Sequence, residues 1–227
     1  MKLLAIDTAT EACSAALSVD SKVDSRFEVC PQQHSQKLLP MVDDLLKSNR
    51  LRIQELDYLV FGRGPGSFTG VRIATGLIQG LSLGIERPVA AVSTLAAMAQ
   101  QAFETLTVKR VAVAIDARMD EVYFAQYECI DGVANLIGEE AVLKPNQVLD
   151  LIDQDIELLC GTGWQAYSEF DALVKQYCAP TVLYPNAIYM VAIAKALIAS
   201  GDVCNAEQIK PVYLRDTVTW KKLPGRE

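Results

Sequence analysis

The segment Leu3-Leu4-Ala5-Ile6-Asp7-Thr8 returns later in the chain as Ala112-Val113-Ala114-Ile115-Asp116-Ala117, and Ala-Ile-Asp is identical in both. Each copy is an apolar run of strand length that closes on an acid. A short turn and a second apolar run follow in both, Cys13 to Val19 in the first and Val122 to Cys129 in the second. Third runs stand at Val23 to Val29 and near Val133 to Ile137. A strand meander used twice predicts two lobes of similar plan: residues 1–109, residues 110–215, and a tail over 216–227.

In the first lobe a helix is expected from Ser35 to about Ser48. Leu38, Leu39, Val42, Leu45 and Leu46 share one face, opposite Lys37, Asp44 and Lys47. Pro40 either marks its start or kinks it. The strand Tyr58 to Phe61 then meets Gly62-Arg63-Gly64-Pro65-Gly66-Ser67-Phe68-Thr69-Gly70, after which Val71 to Leu83 is helical. No charge occurs between Arg72 and Glu86, and apolar residues point all round that helix, so it must be covered all round. Gly76, Gly80 and Gly84 form a flat ridge for another helix, either the first helix of this chain or a helix of a second protein. Pro88 to Val92 is a strand, and Ser93 caps the helix Thr94 to Phe103.

The second lobe is expected to hold a helix near Pro145 to Ile152, a strand Ile156 to Cys160, and a second glycine turn, Gly161-Thr162-Gly163, opening onto Trp164 to Tyr167. A strand Thr181 to Tyr184 and an apolar helix Ala187 to Ala199 complete it. The tail, with Lys221, Lys222 and Arg226 around Trp220, reads as mobile or docked on a partner.

A formal charge of −7 argues against a broad basic face that binds nucleic acid by itself. An acid at Asp7 comes too early for a signal peptide, and no apolar run is read as transmembrane, so a cytoplasmic protein without membrane contact is expected. Six cysteines show no C-x-x-C, and all six read as reduced, small buried side chains. The one histidine, His34, excludes a two-histidine zinc site, and reads as a capping or surface residue.

The glycine stretch can present backbone N–H groups to an anion or allow another backbone to approach. Walker A spacing and its lysine are absent, and the dinucleotide pattern would need a third glycine at Ser67 or Thr69. Close packing is the expected role of Gly64, Pro65, Gly66, Ser67 and Gly70.

The repeated strand-acid-turn-strand plan resembles the actin, Hsp70 and sugar-kinase (ASKHA) superfamily, an α/β two-lobed fold with a duplicated meander. More specifically, Ala5 to Thr10, Gly64 to Arg72, Ala114 to Arg118 with Glu121-Val122-Tyr123, and Pro211-Val212-Tyr213-Leu214-Arg215 resemble the TsaB (YeaZ) family over nearly the whole chain. That resemblance implies a non-catalytic partner of TsaD, which places threonylcarbamoyl on N6 of adenosine 37 in tRNAs reading codons that begin with A. It also implies a complex with TsaE, contact with tRNA only through the complex, a homodimer where TsaD is absent, and no cofactor.

In the superfamily the two acids would hold a metal. Here Ala9 replaces a phosphate-loop glycine, and Arg118 and Met119 replace small residues. Asp7 and Asp116 are therefore expected to be structural acceptors, with Arg118 pairing with a carboxylate such as Asp7. No residue is assigned a catalytic, cofactor or metal role. The expected partner face is Leu38, Leu39, Val42, Leu45, Thr69, Arg72, Ile73, Gly76, Ile78 and Gly80. The competing expectation is an independent ATP-dependent phosphotransferase.

Overall fold

Alternation along the first strand divides the core. Strand β1 (Lys2–Asp7) sends Leu3 and Ala5 into one apolar cluster and Leu4 and Ile6 into another, all fully buried. A computed structural model describes residues 1–215 of the chain. β2 (Ala12–Val19) pairs antiparallel with β1, and β3 (Lys22–Val29) antiparallel with β2. After α1 (His34–Ser48), β4 (Tyr58–Gly62) lies parallel to β1. α2 (Phe68–Ile85) crosses over to β5 (Val89–Val92), giving the order β3-β2-β1-β4-β5.

The second sheet repeats this scheme. β6 (Arg110–Arg118) pairs antiparallel with β7 (Glu121–Ile130), β7 with β8 (Val133–Leu143), and β6 parallel with β9 (Leu158–Cys160). Its order is β8-β7-β6-β9. In both sheets the strand that carries the repeated acid, β1 or β6, takes an antiparallel neighbour on one side and a parallel one on the other. The chain thus has the α/β, two-lobed actin/Hsp70/sugar-kinase-like fold. α3 (Thr94–Thr105), capped by the Ser93 hydroxyl, shares a core with both sheets, and α6 (Met190–Ser200) joins it there. α4 (Pro145–Leu151) and α5 (Asp171–Tyr177) flank a smaller core around Trp164 and Phe170.

α1 has the expected span and runs through Pro40 rather than starting at it. Other expectations are corrected. No strand forms over residues 181–184; that stretch is irregular, and Val182 O accepts one bond from Gly161 N (2.7 Å). The second glycine turn opens onto short 3₁₀ turns, Thr162–Gln165 and Ser168–Phe170. α2, with 18 residues, is long and apolar enough to cross a membrane. Its Val71, Ala74, Ile78 and Ser82 are nevertheless buried in the first lobe. His34 is buried at the start of α1 and caps nothing. All six cysteines are free thiols, but only Cys13, Cys30 and Cys160 are buried; Cys129 and Cys204 are half-buried and Cys178 is exposed.

The C-terminal part also packs on the first lobe. Cys204 bridges to Val89, Ala206 O accepts from Gln79 Nε2 (3.0 Å), and Val212 N donates to Arg63 O (2.8 Å). The tail over 216–227 lies outside the described residues.

Candidate functional site

The glycine turn is a packing device. A Cβ on Gly62 would stand 1.8 Å from Asp7 Oδ2, one on Gly66 2.3 Å from Ala9 O, and one on Gly70 2.0 Å from Thr8 O. The turn therefore lies directly on the Asp7-Thr8-Ala9 backbone, where only residues without a side chain fit. Thr8 Oγ1 donates to Gly70 O (2.7 Å) and Ser67 N to Ala9 O (2.7 Å), fastening the two segments. Gly64, at φ +95°, is pressed against Val212 O from the C-terminal segment.

Asp7 is sealed beneath this turn. It is fully buried, and accepts from Ala9 N (3.0 Å) and Thr94 Oγ1 (3.4 Å). Burial raises its pKa to about 6, against the two hydrogen bonds, which favour the ionised form. Asp116 lies at the wall of the interlobe cleft, its carboxylate taken up by Arg118 Nη1 (2.6 Å), Arg118 N (2.8 Å) and Tyr167 OH (2.9 Å). The two acids have different environments and share no hydrogen-bond partner. Arg118 does not reach Asp7. Its second partner is Glu11 (3.4 Å), because Asp7 has no face open to the cleft.

The cleft itself measures about 990 Å³. Gly66, Ser67 and Thr69 line one side, Asp116 and Arg118 the other, and Tyr213 and Arg215 the C-terminal margin. Arg118, Met119 and Asp120 all adopt left-handed backbone conformations (φ 61°, 58° and 62°). Arg215 gathers the carbonyls that this turn leaves unpaired: Nη1 donates to Ala117 O (3.0 Å) and Nη2 to Arg118 O (3.2 Å), with Glu121 as its counter-ion.

The expected partner face divides in two. Leu38, Val42, Leu45 and Ile78 are at most 1% exposed and belong to this chain's own core, so they are corrected from contact residues to supporting ones. Leu39 is 53% exposed, Thr69, Arg72, Gly76 and Gly80 are exposed, and Ile73 is half-buried. A Cβ on Gly76, Gly80 or Gly84 would meet nothing within 4 Å, so the glycine ridge is not the seat of α1.

At the N-terminal end of that ridge stands a cluster that the sequence does not display as a unit. The Arg72 guanidinium lies 3.5 Å from the centroid of the Phe68 ring, and its Nε donates to Tyr213 OH (2.9 Å). Phe68 and Tyr213 are 47% and 40% exposed, with ring centroids 5.6 Å apart. The i, i+4 spacing of Phe68 and Arg72 is visible in the sequence, but Tyr213 is brought in by the tertiary fold alone.

A family model described as TsaD, tRNA N6-adenosine threonylcarbamoyltransferase, matches residues 27–220. Relatives called tRNA threonylcarbamoyladenosine biosynthesis protein TsaB are 47% identical in Escherichia coli (strain K12), over all of both chains, and 43% in Haemophilus influenzae (strain ATCC 51907 / DSM 11121 / KW20 / Rd), over 100% of this chain and 99% of the relative. The solved structure of YeaZ from Pseudomonas aeruginosa is 44% identical with a TM-score of 0.84, covering 94% of this chain and 99% of that one.

Proposed function

The chain belongs to the TsaB family of tRNA threonylcarbamoyladenosine biosynthesis proteins, and from that premise we propose that it binds and activates TsaD without carrying the transfer chemistry itself. The observation that carries this reading is the uncovered ridge of α2, uncharged from Ile73 to Ile85 and open at Gly76, Gly80 and Gly84. A flat, uncharged helical surface suits a second helix at close range. The TsaD family model matches most of this chain, so a partner with the same fold would present a corresponding helix pair. The reaction served is transfer of threonylcarbamoyl to N6 of adenosine 37 in tRNAs reading ANN codons. TsaE is the further member of the complex, tRNA is reached through it, and the compartment is the cytoplasm. Where TsaD is absent, the same face pairs two copies of this chain by a two-fold axis.

The test is reconstitution of threonylcarbamoyl transfer by TsaD with and without this chain. Transfer is expected only with both; equal transfer by TsaD alone overturns the reading. The size of the cleft favours one competitor, an ATP-dependent phosphotransferase. Calorimetry of the isolated chain with Mg-ATP decides it, since tight binding with turnover would establish an enzyme in its own right. The sealed Asp7 supports the opposite outcome.

A further inference from the structure

Arg72 occupies the same stripe of α2 as the glycine ridge, at the i, i+4, i+8 spacing of Arg72, Gly76 and Gly80. Its side chain runs back over the preceding turn, the direction helical side chains take, and so rests on Phe68. Stacking on that ring and the bond from Nε to Tyr213 fix the plane of the guanidinium before any partner arrives. Arg26, Arg52, Arg63, Arg110, Arg118 and Arg215 all face carboxylates within the chain. Arg72 has no ion pair among the described residues, and its Nη edge makes no hydrogen bond to them.

Arg72 limits what can cover the ridge. A helix laid along Gly76 and Gly80 removes water from the neighbouring guanidinium, and a charge so desolvated is tolerated only when paired. The uncharged face from Ile73 to Ile85 supplies no counter-charge. We infer that Arg72 is the polar anchor of the partner interface, receiving an Asp or Glu carboxylate of the partner end-on at its Nη edge and so setting the register of the partner helix. The eight-residue interval puts the Arg72 backbone about 12 Å along the ridge from Gly80, and because the guanidinium lies back over Phe68 the carboxylate is received farther still towards the N-terminal end of α2. Phe68 and Tyr213 hold the guanidinium in place and form the aromatic rim of the contact. Aromatic and arginine side chains are the residues in which binding energy concentrates at protein interfaces. This inference rests on the proposed TsaD-binding role of α2.

The experiment measures affinity for TsaD by calorimetry at low and high salt, with the full-length chain and the variants R72L, R72E, F68A and G80W. Circular dichroism checks each fold, and the exposure of Arg72 makes loss of folding in R72L and R72E unexpected. R72L is expected to weaken binding on the order of a hundredfold and to flatten its salt dependence. R72E is expected to weaken it further, by setting like charges against each other. F68A keeps the charge but frees the side chain, so it should lose affinity while retaining the salt dependence. G80W tests the ridge itself. If G80W abolishes binding while R72L binds like the wild type, the ridge is the interface and the anchor is wrong. If both bind like the wild type, the interface reading fails together with the anchor. If R72L weakens binding and G80W does not, Arg72 acts outside the ridge, and the register assignment is overturned.

Discussion

Asp7 shows how one residue can keep its place in a fold under changed conditions. It ends the central strand, its two hydrogen bonds hold the following turn, and the glycine turn closes over it. With a folded pKa of about 6 against 3.8 in the open chain, the folded state binds more protons than the unfolded state between those values. The stability that Asp7 contributes is therefore present below about pH 4 and lost as the pH rises through about 6, by roughly 2–3 kcal/mol in all. Asp7→Asn keeps an oxygen for the Ala9 N–H and carries no charge. It is expected to flatten that part of the profile and to be more stable than the wild type at neutral pH. Urea midpoints at a series of pH values measure this; an unchanged slope between pH 4 and 6 would assign the titration to another group. The same variant should still support threonylcarbamoyl transfer by TsaD, since the proposed function gives Asp7 no chemical step. Gly70 is the complementary case. Its missing Cβ would lie 2.0 Å from a backbone carbonyl that cannot swing away, so Gly70→Ala is expected to destabilise by about 2–3 kcal/mol, read as a lowered melting temperature.

The glycines of α2 behave in the opposite way. At Gly76 and Gly80 a methyl group meets open space and removes the entropic penalty of glycine in a helix. Gly76→Ala and Gly80→Ala should each stabilise the isolated chain by up to about 1 kcal/mol, while weakening TsaD binding by raising the ridge. A gain in melting temperature with no loss of affinity would place the partner on another face. Much of this element was legible in the sequence, because a run without charge or proline has helical length, and glycines four apart must fall along one stripe of it. Its orientation was not. Leu38, Val42, Leu45 and Ile78 have the same residue types as a contact surface, and only tertiary packing turns them inward. Residues 181–184 have the β-branched and aromatic composition of a strand, yet no neighbouring edge pairs with them along their length. The Asp7 and Asp116 turns were legible as a repeat, whereas the partner of Arg118 depended on which of the two acids the glycine turn had sealed.

At the scale of the molecule, the lobes are tied at two heights. Beneath the glycine turn, Arg63 of the first lobe meets Glu140 of the second at 3.0 Å, and Tyr127 OH donates to the other oxygen of that carboxylate at 2.8 Å. Glu140 is 7% exposed. Tyr127 is itself buried, and that burial, with the Glu140 carboxylate beside it as the smaller cause, presses its pKa well upward. Above the cleft, the 211–215 segment bonds to Arg63 O at one end and grips the β6–β7 turn through Arg215 at the other. A hinge-bending enzyme of this fold would need these ties to break in each cycle, whereas a scaffold is served by keeping them. Arg63→Ala strips Glu140 of its cation and leaves the charge half-satisfied in a dry place. The expected destabilisation is about 2–4 kcal/mol, below that of a fully enclosed pair because Arg63 is 26% exposed. Adding Glu140→Gln to Arg63→Ala should recover part of the loss, since the buried charge is then gone and an oxygen still accepts from Tyr127. Thermal unfolding of the two single variants and the double variant measures the coupling. Strict additivity would show that Arg63 and Glu140 act independently, and the lobes would then be held by the shared core of α3 and α6 and by the 211–215 segment.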